Sequence, residues 1–97
     1  MARISEIEIV PISPRDGLVG FASFTLHDEI RCNSVAIMSR PSGGYRLVFP
    51  TKKVSGKYMG VFYPINHLAG SAIEDAVIKK YEDVTKDLYA RYDSSND

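Results

Sequence analysis

The hydrophobic period of this chain changes once, at Pro64-Ile65-Asn66. Before that point, apolar residues alternate with polar ones over short runs. After it, Ile73, Ala76/Val77, Lys80/Tyr81, Val84, Leu88 and Tyr92 recur at helical spacing. A period of two puts successive side chains on opposite faces of a strand, whereas 3.6 lines up one face of a helix. The order is strands first and one helix last, which argues for an α+β architecture and against alternating βαβ units.

The strand half divides at its turn residues. "ISEIEIVPI" alternates Ile4, Glu6/Ile7, Ile9 and Ile12 with polar positions, and Pro14 and Asp16-Gly17 then signal a hairpin. "LVGFASFTLH" puts Ala22, Phe24 and Leu26 on one face and Val19, Phe21, Ser23 and Thr25 on the other. His27-Asp28-Glu29 reads as a turn. In "IRCNSVAIM" the alternation slips at Asn33-Ser34, which suggests a bulge. "SRPSGG" reads as a loop, "YRLVFP" as a fourth strand, "TKKVSG" as a loop and "KYMGVFY" as a fifth strand. Asn66 suits a helix cap, with Ser71 and Glu74 as a second possible capping box. The expected fold is a five-stranded antiparallel β-meander followed by one long C-terminal amphipathic helix of about 25 residues, in two layers. Residues 1–92 form the domain and 93–97 a flexible polar tail. One helix barely covers five strands. Val19, Phe21, Met59, Val61 and Tyr63 would stay on the second face, so a homodimer is expected.

The 97 residues suit one domain, and no apolar run reaches the roughly 20 residues that span a bilayer. The first ten residues lack a signal-peptide apolar core, and the lone Cys32 allows no internal disulfide. A cytoplasmic protein with a buried strand cysteine is expected, away from membranes. No nucleophile arrangement, phosphate-binding glycine loop or metal spacing is present. No enzyme activity, cofactor or metal is therefore expected, and His27-Asp28-Glu29 is taken as a turn.

Net charge is zero, but the charge is segregated. From Ile30 to Ile73 there is no acid, and Arg31, Arg40, Arg46, Lys52, Lys53 and Lys57 give that window +6. The flanks carry all twelve acids with the other six bases. Segregation of this kind is a candidate electrostatic footprint. Within it, "FPTKKVSG" puts two lysines side by side after an apolar run. On residues alone, Lys52 and Lys53 fit either a solvated loop or contact with an anion. Arg40, Arg46 and Lys57 fit plain surface or an extension of the same patch. Tyr45, Tyr58 and Tyr63 fit packing or base stacking.

"GFASFTLHDEI", "YRLVFPTKK…G" and "YPINHLAGSAIEDAVIKKYE", in that order, resemble the septation / stage V sporulation protein G family over about residues 3–85. The resemblance implies a small, dimeric, cytoplasmic bacterial regulator of gene expression. It would bind DNA and/or RNA and be tied to septation and sporulation. It also marks Thr51, Lys52 and Lys53 as the favoured nucleic-acid contact. Loop lysines reach phosphates as point charges, and a threonine hydroxyl can donate to a phosphate oxygen. The family pattern has bases just after Pro-Ile-Asn, where this chain has "HLAGSA", and Lys53 stands where arginine is common. Both departures favour shape-tolerant binding over tight sequence reading. Two other classes stay open. One is a protein-interaction module that docks its apolar face or acidic helix flank (Glu74, Asp75, Glu82, Asp83, Asp87) on a division or regulatory partner. The other is a small-molecule sensor using the cleft between sheet and helix.

Overall fold

The computed structural model describes the backbone of residues 3–95 and the side chains of residues 3–88. Six strands precede one helix: β1 (Ile4–Arg15), β2 (Leu18–Leu26), β3 (Ile30–Ser39), β4 (Tyr45–Val48), β5 (Thr51–Val54), β6 (Lys57–Gly60) and α1 (His67–Ser95). The first four form an antiparallel sheet in the order β1-β2-β3-β4, while β5 and β6 pair only with each other. The α+β class and the meander topology are those expected. The strand count is six in two sheets instead of five in one. The side chains of the expected tail, and of Tyr92, lie outside the described residues.

Local sequence explains the sheet. Asp16 and Gly17 both have positive φ (52° and 90°), as a two-residue turn that follows strand twist requires. Glu6 has φ 49°, and the register shifts between Ser5 and Glu8. That bulge is why Ile4 and Ile7, three apart, both face the core. The bulge expected at Asn33-Ser34 is present: Ala22 pairs with Val35 and Phe24 with Cys32, with Ser34 at φ 64°. A third irregularity falls at Val19, which sits between the pairs Leu18–Met38 and Gly20–Ile37. It turns Val19 into the core at 7% exposure, which corrects its expected place on the open face.

The core is one layer between the sheet and the helix. Phe24, Val35, Ile37 and Val77 are fully buried, and Val19, Ala22, Cys32, Ile73 and Tyr81 complete the cluster. The helix stripe Ile73–Val77–Tyr81 matches the period read from sequence. Its start is fixed by Asn66, whose Oδ1 accepts from the amide of Ala69 at 2.8 Å. Ser71 lies inside the helix, not at a second cap. Gly20 permits the close approach of the two layers. A Cβ there would meet the Val10 carbonyl at 3.0 Å and the Tyr81 ring at 3.4 Å. Tyr81 packs edge-on against Tyr45, with ring centroids 5.0 Å apart.

On the other face, no described residue covers the sheet. Val10, Phe21, Ala36 and Val48 pair in one row across all four strands, and Val10, Phe21 and Val48 are exposed.

Truncating Phe24, which is 0% exposed, leaves a cavity at the centre of the layer between sheet and helix. Phe24→Ala is expected to lower unfolding free energy by about 3–5 kcal/mol in urea titration. A loss under about 1 kcal/mol would mean this layer does not carry the fold.

Candidate nucleic-acid interface

The "TKKVSG" segment is not a loop. Thr51, Lys52, Lys53 and Val54 form β5, and Ser55-Gly56 is the turn of a hairpin with β6. Both turn residues have positive φ (51° and 81°), the signature of a tight turn matched to strand twist. The expected fifth strand "KYMGVFY" is correspondingly shorter: only Lys57–Gly60 is strand, and it does not join the main sheet. One further rung, from the Val61 amide to the Pro50 carbonyl at 2.9 Å, closes the base of the hairpin. Below it Phe49 and Phe62 meet edge-to-face at 5.9 Å and pack on the core. The hairpin is therefore anchored at its base by an aromatic pair, and every residue from Thr51 to Gly60 is exposed.

Strand geometry separates the two lysines. Neighbours along a strand point to opposite faces, and directly paired residues share a face. The pairs are Thr51–Gly60, Lys52–Met59, Lys53–Tyr58 and Val54–Lys57. One face thus carries Thr51, Lys53 and Tyr58 beside Gly60. The other carries Lys52, Lys57, Met59 and Val54. Lys53 and Thr51 lie on one face, and Lys52 and Lys57 on the reverse. Lys53 Nζ lies 5.8 Å from the centroid of the Tyr58 ring, within cation–π range.

The six cations of the basic window divide into two sets. Arg31 is bound back to the sheet. It donates to the Glu6 carbonyl at 2.8 Å and to Thr25 Oγ1 at 3.0 Å, and lies 3.3 Å from Glu8 Oε1. Arg40 donates to the Tyr45 carbonyl at 3.2 Å and sits 3.6 Å from Glu74 Oε1 on the helix. Among the described residues, Arg46, Lys52, Lys53 and Lys57 have no acidic partner. Arg46 projects from edge strand β4, whose alternation puts it and Val48 on the open face and Tyr45 and Leu47 inward. The cations left without an acidic partner are thus Arg46 on the sheet and the three hairpin lysines.

The tyrosines part in the same way. Tyr45 packs against Tyr81, whereas Tyr58 and Tyr63 are 74% and 62% exposed. Apolar exposure continues through Met59, Val61, Ile65 and Leu68. The alternation of residues 57–63 held the signal for these exposed groups, but strand pairing was needed to show that no core receives them.

Other chemistry finds less support. Cys32 is buried, and burial pushes its thiol above the ordinary value, with the Arg31 guanidinium pulling the other way. A thiol so placed is held protonated near neutral pH and is a poor nucleophile. An apolar hollow of about 310 Å³ lies between the end of the sheet and the helix start, beside Cys32, Phe49, Phe62 and Ile73. Among the described residues, no three His, Cys, Asp or Glu side chains are grouped to hold a metal, and no helix is long and apolar enough to cross a membrane.

A family model described as SpoVG matches residues 2–83. Three relatives carry the name "Putative septation protein SpoVG". The chain is similar to that of Finegoldia magna, at 30% identity over 82 residues, covering 84% of this chain and 75% of the relative. It matches that of Phytoplasma australiense at 24% over 82 residues, covering 84% and 85%. It matches that of Bdellovibrio bacteriovorus at 22% over 86 residues, covering 89% and 79%.

Gly60 governs the shape of the lysine–tyrosine face. A Cβ on Gly60 would stand 2.6 Å from two ring atoms of Tyr63. Because that ring is exposed, it can turn away without disturbing the core. Gly60→Ala is expected to move the Tyr63 ring proton shifts in NMR spectra and leave the urea midpoint unchanged. Unmoved ring signals would show that Tyr63 does not rest on the hairpin.

Proposed function

The chain belongs to the SpoVG family, and from that premise we propose that it is a homodimeric regulator of gene expression, linked to septation and sporulation, that binds DNA and/or RNA. The hairpin β5–β6 is the contact, with Thr51, Lys52, Lys53 and Lys57 on phosphates and Arg46 extending the site along β4. The carrying observation is that three lysines project from an exposed hairpin with no acid on it and no acidic partner among the described residues. Two further cations of the same window, Arg31 and Arg40, are engaged by acids from the flanks. Their engagement makes Arg40 a support for the helix–sheet joint more than a phosphate ligand.

The chemistry is that of positioning contacts. Lysine ammoniums neutralise phosphates and release condensed counterions, a term that carries no base sequence. Binding of this kind is tolerant of sequence and steep in salt. A dimer presents the hairpin twice, doubling the phosphate contacts without raising the charge per chain. The open sheet face supports dimerisation, because Val10, Phe21 and Val48 form an uncovered apolar row.

Fluorescence anisotropy with duplex DNA and single-stranded RNA tests the contact. Affinity is expected to fall with salt, and Lys52→Ala with Lys53→Ala to flatten the log–log salt slope by about two units per hairpin. A double variant that binds like the parent would remove the site. Absence of binding at about 50 mM salt, where phosphate contacts are strongest, would move the function to a protein partner docked on the exposed apolar surface. Sedimentation tests the assembly: the parent is expected at dimer mass and Phe21→Asp at monomer mass. A parent of monomer mass would overturn the dimer, and a dimeric Phe21→Asp would overturn its placement on the open face.

A further inference from the structure

Resting on the nucleic-acid reading above, we propose that Tyr58 and Tyr63 form a stacking platform for unpaired bases, so that the hairpin takes a single strand in preference to a duplex.

Tyr58 shares a face with Lys53 and Thr51, because Lys53–Tyr58 and Thr51–Gly60 are direct cross-strand pairs. Tyr63 reaches the same face by a different route. Its ring occupies the space that a side chain on Gly60 would fill, 2.6 Å from the position of a Cβ. Gly60 is two residues from Tyr58 along β6, and so points to the same side. Tyr63 thus covers a position on the Tyr58 face that lies two residues, about 7 Å of strand, from Tyr58 itself. The two rings are among the most exposed large side chains of the molecule, at 74% and 62%.

Charge decides what covers them. The hairpin, residues 51–60, carries three lysines and no acid, and Lys53 stands over the Tyr58 ring. A second copy of the chain meeting this face with its own hairpin would bring like charges together. An occupant with flat apolar groups and regularly spaced anions complements it. A nucleic-acid strand with unpaired bases has both: base faces for the rings, and phosphates for Lys53 and the Thr51 hydroxyl. Stacking on an aromatic ring tolerates any base, which matches a hairpin without arginine or amide side chains to read base edges. In a duplex the base faces are already stacked on each other, and only the phosphate contacts remain.

The test uses labelled oligomers of about 15 nucleotides, within reach of one such site. Four are compared at low salt: oligo-dT, oligo-rU, an abasic oligomer with the same number of phosphates, and a duplex. The expected result is that oligo-dT and oligo-rU bind at least about tenfold tighter than the abasic strand and the duplex. Tyr58→Ala with Tyr63→Ala should bring both down to the abasic level, and Tyr58→Phe with Tyr63→Phe should keep the difference. The ratio of dT to rU affinity identifies which strand is preferred, and either one supports the platform. If the abasic strand binds as tightly as oligo-dT, while Lys52→Ala with Lys53→Ala weakens both, the phosphate contact stands and the platform falls. If no oligomer binds, both readings fall. Circular dichroism of each variant separates loss of stacking from loss of fold.

Discussion

The structure depends on one helix stripe seated on one sheet face. Ile73, Val77 and Tyr81 fill the space above Phe24, Val35 and Ile37, and among the described residues no second layer contributes to this core. A chain of this length buries a modest fraction of its surface, so each of these contacts is a large part of the total. The close approach at Gly20 and the Asn66 cap are both fitted to that seat. What cannot reach the stripe stays outside. The other sheet face, the hairpin, and Val61, Tyr63, Ile65 and Leu68 expose their apolar side chains because a single helix has no second face to offer.

That limit makes the hairpin available. Its residues are not used for the core, and its position is set by Phe49 and Phe62 at its base. Side chains with no packing duty can project, and three lysines and Tyr58 do. Pairing within the hairpin still orders them. It fixes which residues share a face, so Lys52 and Lys53, adjacent in sequence, serve opposite sides. The side with Lys53 is aromatic, and the side with Lys52 joins Lys57. A loop of the same composition would not divide its chemistry in this way.

Much of the sheet was legible because burial on one face writes itself into the sequence. Ile4/Ile7/Ile9, Ala22/Phe24/Leu26 and the Asp16-Gly17 turn are such signals, and so is the slip at Asn33-Ser34. The hairpin was read less well for the converse reason. Thr51-Lys52-Lys53-Val54 buries neither face, so no alternation marks it as a strand, and "KYMGVFY" alternates without saying what it pairs with. Val19 was misplaced because a bulge beside a glycine leaves no trace in composition. The engagement of Arg31 by Glu8, and of Arg40 by Glu74, joins segments far apart in the chain, and only the fold brings those acids into reach.

Neutral overall charge is no obstacle to an anion-binding face. Ionic screening confines a surface charge to about 8–10 Å at physiological salt. A four-residue strand is about 13 Å long, so the hairpin's own charges dominate what an approaching phosphate meets. The segregated sequence then has a structural meaning. Acids of the flanks fold back onto Arg31 and Arg40, which lie where β1 and the helix pass. The hairpin lies beyond both, held by its base, and keeps its cations. Zero net charge and a locally cationic hairpin are thus compatible: Glu8 and Glu74 meet Arg31 and Arg40 at the main sheet, while the hairpin lysines have no acidic partner among the described residues.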